Sequence, residues 1–286
     1  MDVQLRFLGG TPFPAIHRAM QEAFADYALD MSYMTEEVLR HRAAKNGVAL
    51  DCSVGAFSGG RLVGLTLVGT GPWEGEPAAF DAGTGILPEH RGQGLAGRMF
   101  DYALPELRRR GVKRFLLEVL QDNEAAVRAY RKAGFRVTRP FDCWESAAAP
   151  VPPQARPFDV RGVPAGRLDE FAAEQDWPPS WENSFDSIRR VPERMHLLGA
   201  FEGDECRGVL AYNPVLQWIM AVLVKRPHRR RGAGTALLGA LAGMLPPGGR
   251  PVRMHNVDPA DEGTRALLQQ AGFRKFTAQY EMEIQV

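Results

Sequence analysis

Apolar and polar positions alternate from Val3 to Leu8, and Gly9-Gly10-Thr11-Pro12 stops the run, which predicts a first strand. From Ile16 to Leu29 the apolar residues Ile16, Met20, Ala23, Phe24 and Tyr27 recur at helical spacing, and Thr35 opens a second helix that Gly47 closes. Cys52–Phe57 and Arg61–Gly69, joined at Ser58-Gly59-Gly60, predict a hairpin, and a loop from Gly69 to Pro77 leads to an apolar strand around Phe80. This strand bends through Pro88-Glu89-His90 and enters a helix near Gly92 that Pro105 should bend. A strand over Val112–Leu120 and a helix from Asn123 to Gly134 complete a β-α-α-β-β-β-α-β-α order.

The pattern then starts again. Residues 148–157 are rich in Pro and Ala and predict a semi-rigid linker between a domain over residues 1–147 and another over 158–286. Phe158–Val163 reads as a strand, Ala165–Gln175 as a helix, Met195–Tyr212 as a hairpin around Gly203-Asp204, and Gln217–Val224 as an apolar strand. A constant shift of 138 residues carries Arg91 onto Arg229, Gly94 onto Gly232, Val119 onto Val257 and Gly134-Phe135 onto Gly272-Phe273, so the second half repeats the first.

Composition narrows the function classes. The 286 residues suit two domains of roughly 140 each. A net charge of +1 gives no electrostatic support for a nucleic-acid or membrane-surface partner. The sequence offers no apolar run of membrane-spanning length and no signal-like start, so the expected location is cytoplasmic. Cys52, Cys143 and Cys206 lack metal-type spacing, which fits buried thiols, and no metal is expected.

The chemistry concentrates where strand meets helix, at Arg91-Gly92-Gln93-Gly94-Leu95-Ala96. Small residues let a ligand approach the backbone, and the helix's first N–H groups and dipole favour an anion such as a pyrophosphate, with Arg91 and Arg98 adding charge. Gly92-x-Gly94-x-x-Gly97 also fits a dinucleotide fingerprint with Glu118 as the ribose acid, but that turn belongs in the first βαβ unit of a parallel sheet, whereas hairpin signals precede it here. The basic run Arg108-Arg109-Arg110 reads as a solvated helix end or as a phosphate contact.

Taken together, ILPEHRGQGLAG, LLEV and N-x-x-A-x-x-x-Y-x-x-x-GF, spanning about Phe80 to Val137, resemble the GNAT superfamily of acyl-CoA-dependent N-acetyltransferases in order and spacing. The resemblance implies two tandem α/β (α+β) domains, each a mixed, mostly antiparallel sheet flanked by helices. It implies acetyl-CoA or another acyl-CoA as cosubstrate. The pantetheine arm would lie along Thr84 and Ile86 and be held by Asn123, the pyrophosphate would sit on Arg91, Gly92, Gln93, Gly94, Leu95 and Ala96, and Tyr130 would protonate the leaving sulfur. The acceptor, a small-molecule or peptide amine, would enter between Tyr27–Tyr33 and the Gly71–Glu76 loop.

Acyl transfer to an amine also needs a base. Glu118, alternating with apolar neighbours on its strand, is the first candidate, with a structural ion pair to Arg91 or Arg114 as the competing role; Asp81 is the second candidate. Tyr130 equally fits a core aromatic at helical spacing with Val127. In the second copy Tyr130 becomes Leu268, Asn123 becomes Asp261 and Glu118 becomes Asn256, so that copy reads as degenerate, with its anion turn kept. The rival function is a CoA-binding protein without catalysis that senses or holds a partner.

Overall fold

The computed structural model describes residues 3–146, 158–246 and 248–286. In chain order the elements are β1 (Val3–Phe7), α1 (Phe13–Ala23), α2 (Glu36–Lys45), β2 (Val54–Ser58), β3 (Arg61–Trp73), β4 (Glu76–Ile86), α3 (Leu95–Arg109), β5 (Arg114–Leu120), α4 (Glu124–Lys132) and β6 (Arg136–Ser146). After the linker stretch 148–157, which lies outside the described residues, come β7 (Asp159–Gly162), α5 (Phe185–Arg189), β8 (His196–Glu202), β9 (Glu205–Asn213), β10 (Trp218–Val224), α6 (Ala233–Met244), β11 (Arg253–Val257), α7 (Glu262–Gln270) and β12 (Phe273–Gln285).

These elements form two compact units, residues 1–139 with 280–286, and residues 140–279. In the first, the strand order is β1-β2-β3-β4-β5, then the end of β12, then the start of β6. All pairs from β1 to β4 are antiparallel, and β4 with β5 is parallel. The last residues of β12 are well fixed there. Val286 N–H donates to the Lys113 carbonyl at 2.9 Å, and buried Glu281 accepts from Thr138 Oγ1 at 2.8 Å and from Arg139 Nε at 3.0 Å. In the second unit the order is the start of β12, the end of β6, then β11-β10-β9-β8-β7, with β11 antiparallel to β6 and parallel to β10.

Local chemistry explains the elements. Thr35 caps α2, its Oγ1 accepting from Val38 N–H. The buried face of α3 is Leu95, Met99, Phe100, Ala103, Leu104 and Leu107, and the helix runs through exposed Pro105 to Arg109. Phe100, Phe115 and Phe135 stack edge to face beneath it, with centroids 5.3 to 5.8 Å apart.

Three local expectations change. The Gly69–Pro77 loop is instead a continuation of β3 and β4 to a two-residue turn, Glu74-Gly75, with φ of 50° and 83°, a turn whose twist matches the strands it joins. The helix expected to reach Leu29 ends at Ala23. Ala165–Glu174 forms tight 3₁₀ turns rather than an α-helix, because its buried residues Leu168 and Phe171 lie three apart and are eclipsed by a three-residue turn.

Candidate acyl-transfer site

The first unit opens at one place in its sheet. Parallel pairing of β4 with β5 runs from Ala78 opposite Arg114 to Asp81 opposite Leu117, while β4 continues to Ile86 and β5 to Leu120. The register of β3 against β4 shifts there, Leu67 facing Gly83 and Val68 facing Asp81, which leaves Ala82 as a bulged residue. A bulge bends its strand, so the two parallel strands diverge beyond Asp81 and Leu117. Thr84 and Ile86 lie on the diverging part of β4, and Glu118 is the first residue of β5 past the last pair.

The mouth of this opening is the turn into α3. Gly92 and Gly94 have φ of 75° and 71°, values that residues with a side chain rarely adopt, and a Cβ at either would meet nothing within 4 Å. Gly94 caps α3 without a side-chain hydrogen bond, so the first N–H groups of the helix, at Leu95 and Ala96, keep their donor capacity for a ligand. Gln93 is exposed, whereas the Leu95 side chain is buried in the core.

Arg91 is occupied differently from what the sequence suggests. Its guanidinium lies 2.6 Å from Asp26, its Nε donates to the Ile86 carbonyl at 3.1 Å, and Nη2 donates to the Ala23 carbonyl at 2.9 Å. It therefore latches the end of β4 to the end of α1, a favourable place for a cation at a helix C-terminus. The second unit has the same latch: Arg229 Nε donates to the Val224 carbonyl at 3.1 Å, Nη2 to the Glu174 carbonyl at 2.7 Å, and Nη1 to Asp176. Asp26 was not legible from the sequence, because it lies 65 residues from Arg91.

Asn123 caps α4, its Oδ1 accepting from Ala126 N–H at 3.1 Å. Asp261 caps α7 in the same way, accepting from Thr264 N–H at 2.9 Å. The carbonyl of Asn123 is thus structural, and its Nδ2 is the group that can face a ligand. Arg114, offered above as a partner for Glu118, lies 2.7 Å from Glu74 and 3.6 Å from Glu283.

Tyr130 is packed as a core aromatic. Its ring sits among Phe100 and Phe135, with centroids 5.8 and 6.0 Å away, and the residue is 9 % exposed. Thr84 and Asp81 are its polar neighbours. Burial first, then the nearby charge of Asp81 and the Tyr27 hydroxyl, push its acidity well above the ordinary tyrosine value, so it is neutral and can donate a proton. Asp81 is itself fully enclosed. Its Oδ1 accepts from Gly83 N–H at 3.0 Å and Thr66 Oγ1 at 3.2 Å, and its Oδ2 from Thr84 Oγ1 at 2.7 Å. Burial raises its carboxyl to about 6 against those hydrogen bonds and the Arg42 charge.

In the second unit, β10 and β11 pair only at Trp218 and Arg253, and a cavity of about 530 Å³ opens beside Val222–Val224, the Gly232–Thr235 start of α6 and the Asp261–Thr264 start of α7. Where the first unit has Tyr130, this one has Leu268, fully buried. Asn256, at the position of Glu118, is buried and donates from Nδ2 to Ser180 Oγ at 3.0 Å. Among the described residues no group of three His, Cys, Asp or Glu side chains is placed to hold a metal, and no helix is long and apolar enough to cross a membrane.

The sequence model of the acetyltransferase (GNAT) family matches residues 14–135 and again 165–273. The chain belongs to this family. Its GNAT domains occur in tandem, as in a solved tandem GNAT protein from the clavulanic acid biosynthesis pathway, which shares the fold with a TM-score of 0.74 at 17 % identity, covering 99 % of this chain and 98 % of that one. A GCN5-related N-acetyltransferase from Sphaerobacter thermophilus shares it with a TM-score of 0.67 at 18 % identity, covering 99 % and 95 %. Two curated relatives are mycothiol acetyltransferases. That of Geodermatophilus obscurus is 36 % identical over 137 residues, 46 % of this chain and 44 % of its own length. That of Thermobifida fusca is 31 % identical over 136 residues, 45 % and 40 % respectively. The match thus spans less than half the length of either relative.

Proposed function

We propose that this GNAT protein is an N-acetyltransferase whose first unit moves an acetyl or related acyl group from acyl-CoA to a primary amine by direct attack in a ternary complex. The observation that carries this reading is a buried Tyr130, packed by Phe100 and Phe135, in the unit whose parallel strands β4 and β5 stop pairing at Asp81 and Leu117. The cosubstrate supplies a thioester carbonyl activated for attack. Its phosphates would rest on the amides of Gly92, Gln93, Gly94, Leu95 and Ala96, and its pantetheine arm would lie along Thr84 and Ile86 beside Asn123 Nδ2. Arg91 acts on the turn chiefly through its latch. Glu118 takes the amine's proton, directly or through water, and Tyr130 donates one to the departing sulfur.

The second unit keeps the latch, the helix cap and a cavity, with Leu268 in place of the acid. That combination suits holding a CoA-type ligand or serving as scaffold, without transfer. The rival function, binding without catalysis, would extend this condition to the whole chain. Release of free thiol from acetyl-CoA with a panel of primary amines, mycothiol-related amines first, separates the two. Turnover that Tyr130→Phe lowers by about 10²-fold or more supports transfer in the first unit. Acetyl-CoA binding with no turnover across the panel supports the rival.

A further inference from the structure

The two latches give the units a common reference point. Arg91 takes the Ala23 carbonyl and Asp26, and Arg229 takes the Glu174 carbonyl and Asp176. Beyond the latch the units differ. Residues 27–33, which the family resemblance makes one side of the acceptor entrance, are all half-buried or exposed, whereas Ser180, Trp181, Glu182 and Asn183 of the second unit are all buried.

Side-chain hydrogen bonds hold that buried stretch against β11. Asn183 Nδ2 donates to the His255 carbonyl at 2.7 Å, and Asn256 Nδ2 donates to Ser180 Oγ at 3.0 Å. The Ser184 and Ser187 hydroxyls donate to the Trp181 carbonyl at 2.9 and 2.7 Å, and the Arg190 guanidinium lies over the Trp181 ring. His255 and Asn256 stand where β11 bulges. Met254 faces Trp144 and Val257 faces Asp142, so two residues oppose Cys143 alone, and Asn256 takes a left-handed φ of 59°. The 138-residue shift carries Leu117 onto His255 and Glu118 onto Asn256. In the first unit these are the last residue of β5 paired with β4 and the first beyond it, the border of the opening. The stretch after the second latch is therefore bonded to the position of that border, while the cavity beside Val222–Val224 and the start of α6 is lined by other residues.

We infer that Ser180–Asn183 is a built-in plug: it fills the acceptor side of the second unit, so that a thioester held in the cavity there is shielded from amines. The inference rests on the reading that this unit holds a CoA-type ligand, and adds what happens to that ligand. Leu268 removes the acid of the reaction; the plug removes the acceptor. Buried polar groups are costly unless hydrogen-bonded, and swinging the stretch outward would break its bonds to His255 and Asn256 together, so the closed form is the stable one.

Hydroxylamine, a small nucleophile that cleaves thioesters without an enzyme, provides the test. Full-length Gly94→Glu protein, with a carboxylate on the first-unit turn, is mixed with a smaller amount of acetyl-CoA, and binding is followed by calorimetry. Thiol release from the bound acetyl-CoA on adding hydroxylamine should be slower than from free acetyl-CoA by about tenfold or more. Asn183→Ala, and separately Asn256→Ala, in the same background should return release to the free rate at unchanged acetyl-CoA affinity. Bound acetyl-CoA that reacts as fast as free acetyl-CoA overturns the inference, and so does slow release that neither variant speeds. If the Gly94→Glu protein binds no acetyl-CoA, the ligand reading of the second unit fails instead, and amide hydrogen exchange of the wild type decides the plug. Exchange at residues 180–183 should be slower than at 27–33 by about tenfold or more. Equal exchange in the two stretches overturns the plug.

Discussion

Arg91 lies 2.6 Å from Asp26 and takes the carbonyls of Ile86 and Ala23 with its remaining donors. Arg91 is therefore committed to a protein partner, and the first N–H groups of α3 keep their donor capacity. Because Arg91 grips the end of α1, it ties the turn into α3 to the stretch after α1 that carries Tyr27.

Asp26→Asn should accordingly shift acetyl-CoA affinity by no more than about threefold, since an exposed ion pair contributes little, while residues 24–34 become more susceptible to limited proteolysis. The Arg91 contact lowers the Asp26 carboxyl below its ordinary value. The pair therefore acts above the unfolded carboxylate value near 3.9 and is lost as pH falls through the lower folded value. Proteolysis of this stretch in wild type should approach that of the variant only in that acidic range. A large loss of affinity in Asp26→Asn, with the stretch still protected, would show that Arg91 contributes mainly as a phosphate ligand.

Asp81 has the opposite linkage. Its folded value of about 6 exceeds the unfolded 3.9 or so, so the folded chain binds this proton more tightly. The burial cost is present in full above pH 6, amounts to about 3 kcal/mol at most, and fades as pH falls from 6 to 4. Asp81→Asn should therefore be more stable than wild type at pH 7.5 by about 1–3 kcal/mol, and chemical denaturation at pH 4.5 should show that gap narrowed. A gap independent of pH would mean that Asp81 does not titrate as its enclosure requires.

Glu281 binds Thr138 and Arg139 within the first unit and is itself buried. Glu281→Ala would leave the Arg139 guanidinium, 17 % exposed, without that carboxylate. The expected loss is about 2–4 kcal/mol of unfolding free energy in the first unit, read by urea denaturation. A loss below about 0.5 kcal/mol would place the pair among exposed, weakly coupled charges.

Much of this was legible in the sequence. The element order of the first half, the cap at Thr35 and the 138-residue repeat follow from periodicity and from residues whose local preferences are strong. The acid that pairs with Arg91 was not, because a contact across 65 residues leaves no local trace. The family resemblance offers Asn123 as a ligand group, and its carbonyl is a helix cap; the same residue type serves both needs, and only the hydrogen bond to Ala126 shows the second. The enclosure of Asp81 was hidden as well, since a carboxylate on a strand gives no sign of which hydroxyls surround it. The boundary of the 3₁₀ stretch at Ala165–Glu174 depended on which apolar residues are buried, which tertiary packing decides.

The proposed transfer in the first unit requires the cofactor phosphates to rest on the turn at Gly92–Ala96. The most direct measurement is thiol release from acetyl-CoA by wild type, Gly94→Glu and Gly232→Glu, each confirmed to be folded, with calorimetric titration of acetyl-CoA alongside. Gly94 and Gly232 cap α3 and α6 at positive φ, 71° and 99°, and a glutamate at either would place a carboxylate where phosphate would lie. Turnover abolished by Gly94→Glu and retained by Gly232→Glu is the predicted result. Turnover that survives Gly94→Glu and is lost in Gly232→Glu would move the chemistry to the second unit and leave Tyr130 as a core aromatic.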